Sequence, residues 1–220
     1  MYKRQVPETL SAAEHTYDVL FIQSYTSHTP WHSRLTTGLK SGFEKGGAKV
    51  NIVTEYLNAD FWTFPSECFI MRRICERARQ RNTDMIVTSG DEAFYTLVHC
   101  GDSLPYRLPV VVSGIKYPDE NVLKKMPNVS GYVSKPDFSV LLEEAIRMFP
   151  SRTEIVCLSD SSFLSRKGVE QVEEVWEGLK QKYPKHSLKK MNVQAQSLNS
   201  IITSISVSYT HLRAHETSAH

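Results

Sequence analysis

The sequence has little net charge and no long apolar run. Its 220 residues include 26 Lys and Arg against 24 Asp and Glu, so the formal net charge at pH 7 is +2. Nucleic-acid-binding domains usually carry a basic stripe or patch, which this sequence does not form. No stretch approaches the ~20 apolar residues of a membrane-spanning helix. With 40% hydrophobic residues the composition is that of a globular domain, and nucleic acid is not an expected partner.

The motifs of several enzyme classes are also missing. No G-x-x-x-x-G-K-[ST] phosphate loop and no G-x-G-x-x-G turn follows the first apolar run. There is no G-x-S-x-G elbow. Gln23 and Ser24 occupy the place where a response-regulator receiver carries acidic residues. We therefore expect no enzymatic activity in this segment, no cofactor and no metal; a hydrolase that uses Ser89 with a distant His is the remaining alternative.

The four cysteines form no recognisable motif. Cys68 and Cys75 are seven residues apart on one predicted helix, which separates them by roughly 10 Å, too far for a disulfide. Cys100 and Cys157 belong to different predicted units, and no C-x-x-C or zinc spacing occurs. We expect buried free thiols.

What the sequence does contain is a repeated alternation of apolar strands and amphipathic helices. Val19–Ile22 is a continuous apolar run, typical of a strand buried on both faces. A polar loop at residues 23–31 follows, and then Leu35, Leu39 and Phe43 recur along one face of a helix. Strand, polar loop and helix together make half a βαβ unit.

This alternation predicts an α/β protein with two lobes. Residues 17–133 are expected to form lobe 1, a doubly wound parallel sheet, and residues 134–206 a truncated second α/β lobe. The expected strands after the first are 49–57, 84–88, 109–113 and 128–133 in lobe 1, and 154–158 and 187–193 in lobe 2.

Two local expectations concern the helices. Ser134 is expected to cap the first helix of lobe 2. The helix after Pro65 is expected to turn five residues inward: Phe69, Ile70, Ile74, Arg77 and Ala78.

Both ends of the chain look foreign to the domain. Residues 1–16 are expected to be a disordered leader with an adaptor-like start, and residues 207–220 an adaptor-like artefactual tail. Leu10–Ala13 has the small residues of a signal-peptide cleavage region, and a flexible leader is the equal alternative.

Polar residues follow several of the predicted strands. The carboxyl ends of parallel strands are where ligands bind in open α/β sheets. The candidate ligand-binding residues are those at these ends: Ser24, Tyr25, Trp31, Ser89, Gly90, Asp91, Ser113 and Gly114 in lobe 1, and Asp160 and Ser161 in lobe 2. Each hydroxyl or carboxylate could instead simply cap a helix.

Several passages carry a resemblance to a known family. They are LFIQSYTSHTPWHSRLTTGLKSGFE, EYLNADFW, DMIVTSGDEAF, LPVVVSGIKYPDE, NVSGYVSKPDF and IVCLSDSS. In this order they resemble the ABC-transporter substrate-binding-protein-like family, over about residues 17–205. The resemblance implies a type I periplasmic-binding-protein fold, with two lobes, a hinge and a ligand in the interlobe cleft.

The resemblance also implies a cellular role. Members occur as free solute-binding proteins and as sensor domains of two-component histidine kinases. The loop from Gln23 to Trp31 is closer to the sensor-linked members, so we expect an extracytoplasmic sensor domain of a membrane-anchored, dimeric kinase in signal transduction. A solute-binding protein of an ABC transporter is the alternative. The expected ligand is a small polar organic molecule, such as a sugar, an amino acid or a related metabolite, and the expected location is the periplasmic side of a bacterial inner membrane.

Overall fold

The computed structural model describes residues 15–27, 30–60, 64–194, 197 and 199–203, with only the backbone for residues 30–32. Most of the expected leader, and all of the expected tail, lie outside these residues. The described chain divides into two compact units, with the division between Lys135 and Pro136. Each unit is an α/β structure.

The first unit contains five strands and five helices within the described residues. In chain order they are β1 (Tyr17–Gln23), α1 (Pro30–Lys45), β2 (Val50–Tyr56), α2 (Phe64–Gln80), β3 (Met85–Ser89), α3 (Asp91–Cys100), α4 (Leu104–Arg107), β4 (Val110–Ile115), α5 (Glu120–Lys124) and β5 (Val129–Val133). The strands form one parallel sheet in the order β2-β1-β3-β4-β5. The predicted parallel sheet of five strands is confirmed, whereas the sequence did not predict the short helices α4 and α5.

Both faces of this sheet are covered. Val19 and Phe21 of β1 pack with Val87 of β3 against apolar side chains of α1. Leu20 and Ile22 point to the opposite face and are buried as well. The apolar run Val19–Ile22 therefore packs on two sides at once, as expected of a central strand in a doubly wound sheet.

The second unit contains α6 (Phe138–Met148), β6 (Glu154–Ser159), α7 (Phe163–Leu179), β7 (Ser187–Asn192) and a helical turn at 199–203. Its two strands pair in parallel as a separate sheet. Its core lies between the two helices and one face of this sheet. The buried residues of this core are Leu142, Ile146, Val172, Trp176 and Leu179.

Two predictions about helices are wrong in part. Asp137 caps α6, since its side chain accepts the backbone N–H of Val140. Ser134 instead donates its backbone N–H to the carbonyl of Ile115 at 2.7 Å and extends the pairing of β4 with β5. On α2, Phe69 is 63% exposed although it was expected to face inward. The buried face of α2 is rotated from the predicted one and consists of Glu67, Met71, Ile74, Cys75 and Ala78.

The expectation of four free thiols is wrong for two of them. Cys68 on α2 and Cys100 on α3 form a disulfide, with their Cα atoms 5.3 Å apart. The two helices contact each other, so the partners meet across helices rather than along one. Cys75 and Cys157 are free. The disulfide joins two neighbouring helices of the first unit.

Candidate functional site

The carboxyl ends of β1, β3 and β4 lie level with one another. Gln23 is the register partner of Ser89, and Ser89 is the register partner of Ser113. Backbone hydrogen bonds continue past the strands, from Ser24 N–H to the Ser89 carbonyl at 3.0 Å and from Gly90 N–H to the Ser113 carbonyl at 2.9 Å. The structure therefore brings together the three loops in which the sequence places its lobe 1 candidates.

Ser24 supports the start of helix α3. Its side chain is fully buried. Its hydroxyl donates to the Ser89 carbonyl at 2.9 Å and accepts the N–H of Ala93 at 3.0 Å. Both interactions are internal to the fold, so we assign Ser24 a positioning role rather than direct contact with a ligand.

Gly90 makes this close packing feasible. Its φ of +92° lies in a region that residues with a Cβ rarely adopt. A Cβ placed at this position would lie 2.5 Å from the Ser24 Oγ. The turn between β3 and α3 therefore requires glycine on both conformational and steric grounds.

Asp91 holds the loop that follows β4. Its side chain is fully buried, and its two carboxylate oxygens accept the N–H groups of Lys116 and Tyr117, each at 2.9 Å. Tyr95 reinforces this loop, because its hydroxyl donates to the Tyr117 carbonyl and accepts the N–H of Asp119. Burial raises the pKa of Asp91, and the two backbone hydrogen bonds oppose that rise. Asp91 is thus a second positioning residue of the edge.

Glu92 is the residue at this edge that the sequence-based list omits. One carboxylate oxygen, Oε1, accepts the hydroxyl of Tyr25 at 2.8 Å. The side chain is only 6% exposed, and the other oxygen, Oε2, is buried without a hydrogen-bond partner. Burial raises the pKa of Glu92, and burial likewise raises the pKa of Tyr25. The sequence signal was Glu92's position beside Asp91 at the start of a helix, where an acidic residue is readily interpreted as a helix-dipole partner.

A further carboxyl group lies near Glu92. Glu67 of α2 is 8% exposed and accepts the hydroxyl of Thr96 at 3.2 Å. Burial raises its pKa, and the charge of Glu92 adds to that rise. In the described part of the chain, none of Glu67, Asp91 and Glu92 forms an ion pair. Among the described residues the edge therefore holds three buried carboxyl groups that form no ion pair, although the charge of Lys116 acts on Asp91 and opposes the rise of its pKa.

The remaining lobe 1 candidates differ in exposure. Ser89 is buried, whereas Tyr25, Ser113 and Gly114 are half-buried. Gly114 has a φ of +74° at the point where the β4–β5 register shifts. Trp31 lies in the first turn of α1, and its side chain lies outside the described residues.

The two candidates of the second unit take part in the loop before α7. The Asp160 carboxylate accepts the N–H of Ser162 at 2.8 Å. The pKa of Asp160 is lowered, chiefly by a hydrogen bond with the Ser162 side chain and further by this backbone hydrogen bond. Ser162 in turn caps α7 by accepting the N–H of Ser165. Ser161 is exposed, and its hydroxyl accepts the side-chain amide of Asn192 at 3.4 Å. Within its own unit, this loop places polar groups at the carboxyl end of β6.

No protein-family model and no curated protein matches the chain. Solved structures do match it. A conserved domain protein from Vibrio cholerae O1 biovar eltor is 15% identical, with 81% of this chain and 58% of that chain covered and a TM-score of 0.61. The ABC domain in complex with L-Trp from Streptococcus pneumoniae is 18% identical, with 86% and 60% covered and a TM-score of 0.58. An open, ligand-free substrate-binding protein from Clostridium difficile is 14% identical, with 87% and 61% covered and a TM-score of 0.57.

The chain has the periplasmic-binding-protein fold. This confirms the type I fold that the sequence resemblance implied. The chain spans about 60% of the length of the solved structures it matches. At these identities the likeness establishes the architecture, and the function has to be argued from the residues.

In this periplasmic-binding-protein-like chain the described hydrogen bonds of the edge join the strand-end loops to one another. The hydroxyl of Ser24 donates to a carbonyl, and the described hydrogen bonds place no histidine beside Ser89. Across the described residues there is no group of three or more His, Cys, Asp or Glu that could hold a metal ion. None of the helices in the described part is long and apolar enough to cross a membrane.

Proposed function

We propose that the chain is an extracytoplasmic domain that binds a small polar organic molecule at the carboxyl edge of the first unit's sheet. The observation that carries the proposal is the set of hydrogen bonds joining the three strand-end loops. Loops that are already held in place by such bonds are preorganised for a ligand.

The half-buried residues would provide the contact surface. Tyr25, Ser113 and Gly114 would face the ligand, while Ser24 and Asp91 keep the loops in place. Tyr25 would stack on a ring of the ligand. Asp160 and Ser161, at the carboxyl end of β6, are candidates from the sequence, and their role in ligand binding remains a prediction.

The disulfide supports the extracytoplasmic location. Disulfides persist in oxidising compartments such as the periplasm and are rare in the cytosol. The Cys68–Cys100 bond belongs to the unit that carries the proposed site. Solved structures with this fold include a periplasmic binding protein from Burkholderia mallei and an ABC sugar transporter's periplasmic binding protein from Legionella pneumophila. We therefore propose the periplasmic side of a bacterial inner membrane.

Two cellular roles fit this binding domain. The solved structures with the same fold favour the solute-binding protein of an ABC transporter, and the sequence resemblance favours the sensor domain of a dimeric, membrane-anchored histidine kinase. In a sensor the ligand must bind one conformation more tightly than the other to change the signal. The coding sequence downstream of residue 206 distinguishes the roles. A membrane helix followed by a kinase region supports the sensor, and a stop codon beside permease genes supports transport.

A thermal-shift screen of sugars, amino acids and related metabolites tests the binding function. A ligand at a hundred times its dissociation constant should stabilise the fold by ~2.7 kcal/mol. Tyr25→Phe should weaken binding of a true ligand roughly tenfold, because it removes a hydrogen bond to the Glu92 carboxylate. Tyr106→Phe, in the exposed helix α4, is the matched control. A compound that stabilises wild type and Tyr25→Phe equally would place the site elsewhere.

A further inference from the structure

We propose that Tyr117 is a specificity-determining residue that contacts the ligand, with its hydroxyl donating a hydrogen bond to an oxygen atom of the bound molecule. The proposal rests on the binding function inferred above, and it adds the kind of group that the site recognises. Tyr117 follows β4 by two residues, in the loop between β4 and α5. It is not among the candidate residues that the sequence indicated.

The backbone of Tyr117 is held from both sides by side chains of α3. Its N–H donates to Asp91 Oδ1 at 2.9 Å, and its carbonyl accepts the hydroxyl of Tyr95 at 2.7 Å. The same two side chains also accept the N–H groups of Lys116 and Asp119. Because Tyr117 is held in this way, its side chain has fewer places to lie, and a contact with a ligand costs less conformational entropy.

The hydroxyl of Tyr117 is open to solvent. The hydroxyls of the two other tyrosines at this edge are already used, that of Tyr25 by Glu92 and that of Tyr95 by the loop itself. Among the residues that the structure describes, the Tyr117 hydroxyl has no hydrogen-bond partner, and it is not enclosed by the fold. The residue as a whole is half-buried. The fold therefore positions a polar group at the carboxyl edge of the sheet and leaves it open, which is where ligands bind in such sheets.

The electrostatic surroundings make this hydroxyl a hydrogen-bond donor. Burial raises the pKa of Tyr117, and the negative charge of Asp91 raises it further. The phenol therefore keeps its proton at neutral pH and can donate it to an acceptor. Burial and the neighbouring Glu92 raise the pKa of Tyr25, and the charge of Asp91 adds to that rise as well. Both phenols thus lie near one carboxyl group, on the same edge as the proposed ligand. The group that Tyr117 recognises is an oxygen acceptor, such as a hydroxyl or carbonyl oxygen.

The test combines Tyr117→Phe with compounds from which an oxygen has been removed. A thermal-shift screen of the whole chain with D-glucose, D-galactose, D-ribose and the proteinogenic amino acids identifies the compounds that bind, and titration calorimetry measures their affinities. Tyr117→Phe should weaken binding of such a compound by roughly 2- to 10-fold, because one hydrogen bond is lost. One derivative without the contacted oxygen, a monodeoxy sugar or an amine without the carboxyl group, should bind wild type and Tyr117→Phe alike.

A second variant tests how Tyr117 is positioned. Tyr95→Phe keeps the ring but removes the hydroxyl that holds the Tyr117 carbonyl. It should weaken the same compound in the wild-type background and have little further effect in Tyr117→Phe, because both changes act through one contact. A general effect of Tyr95 on the fold would instead lower the affinity by the same factor in both backgrounds.

Tyr106→Phe, in the exposed helix α4, is the matched control and should leave every affinity unchanged. Thermal unfolding without ligand verifies that each variant is folded. Equal affinities of wild type and Tyr117→Phe for all compounds that bind would overturn the role of Tyr117 and leave the binding function standing. Equal losses in Tyr117→Phe for a compound and all of its derivatives would also overturn it, since the effect would then lie in the fold. If no compound of the screen binds wild type, the binding function fails and the role of Tyr117 fails with it.

Discussion

The two units repeat one structural motif with very different results. In the first unit, the last five residues of β1 are buried, whereas no residue of β6 in the second unit is. β1 lies between two other strands, with apolar side chains buried on both faces of the sheet. β6 pairs only with β7 among the described strands, and Ile155 and Cys157 pack on one face while Leu158 is 51% exposed.

The difference accords with the position of each strand, because β1 has a neighbouring strand on both sides and β6 has one described neighbour. Both strands carry apolar residues at consecutive positions, as parallel strands covered on two faces usually do. Only a central strand in a sheet covered on both faces buries the apolar side chains at all of these positions. The first unit should therefore be the more stable one. Substitutions in this unit should shift its own unfolding transition and leave that of the second unit unchanged.

A matched pair of glycine substitutions should give the largest contrast. Gly131 in β5 has a φ of +145°, and an added Cβ would lie 2.0 Å from the Val112 carbonyl oxygen. Gly131→Ala should destabilise the first unit by about 4 kcal/mol, from backbone strain and overpacking. Gly178 in α7 has nothing within 4 Å of its added Cβ. Gly178→Ala should stabilise the second unit by up to about 1 kcal/mol.

Urea unfolding with hydrogen exchange of peptides from β3 and β6 measures the two effects separately. If Gly131→Ala lowered the protection of β6 as much as that of β3, the two units would unfold together and the comparison would fail.

Removal of the disulfide should have the next largest effect. The Cys68–Cys100 bond has a sequence separation of 32, for which loop-closure entropy predicts a loss of about 3.7 kcal/mol when it is broken. Reduction, or the Cys68→Ala/Cys100→Ala pair, should lower the transition of the first unit and leave β6 unchanged. The double variant serves as the control, since reductant should not affect it further. Equal sensitivity of wild type and double variant to reductant would contradict the assignment.

A smaller effect should appear as a pH dependence confined to the first unit. The pKa of Glu92 is raised above its ordinary value of 4.5 by burial. The folded state therefore binds the proton more tightly than the unfolded state, and stability is greatest below pH 4.5 and falls as the pH rises through the raised pKa. Glu92→Gln should be more stable than wild type at pH 7 by about 1 kcal/mol or more, with a smaller difference at pH 4.5.

Thermal unfolding of both proteins across this pH range measures the effect. Glu67 and Asp91 should leave a residual pH dependence in Glu92→Gln, because their pKa values are raised in the same direction. Identical curves for the variant and wild type would show that Glu92 is already compensated in the folded chain.

The sequence predicted the strands well because their signal is local. The run Val19–Ile22 is apolar at every position, and the structure buries each of these residues. The face of α2 was less predictable, because Phe69 favours an inward position by its hydrophobicity, yet Glu67 is buried through its bond with Thr96. Tertiary partners of this kind leave no trace in the spacing of apolar residues.

The roles of the residues at the candidate site were also only partly predictable from the sequence. The sequence indicated which loops meet, since the carboxyl ends of parallel strands share an edge. It could not separate residues that hold the loops, such as Ser24 and Asp91, from a residue with an unsatisfied atom, such as Glu92. That distinction depends on hydrogen bonds between residues more than sixty positions apart, such as Tyr25 with Glu92.

The position of the disulfide bears on the biogenesis of the protein. Both of its cysteines precede Pro136, so all the residues needed for the bond emerge before the second unit does. For a chain exported amino end first, as proposed above, α2 and α3 would reach the oxidising side while residues of the second unit were still being translocated. The first unit can therefore be covalently completed while the second is still unfolded.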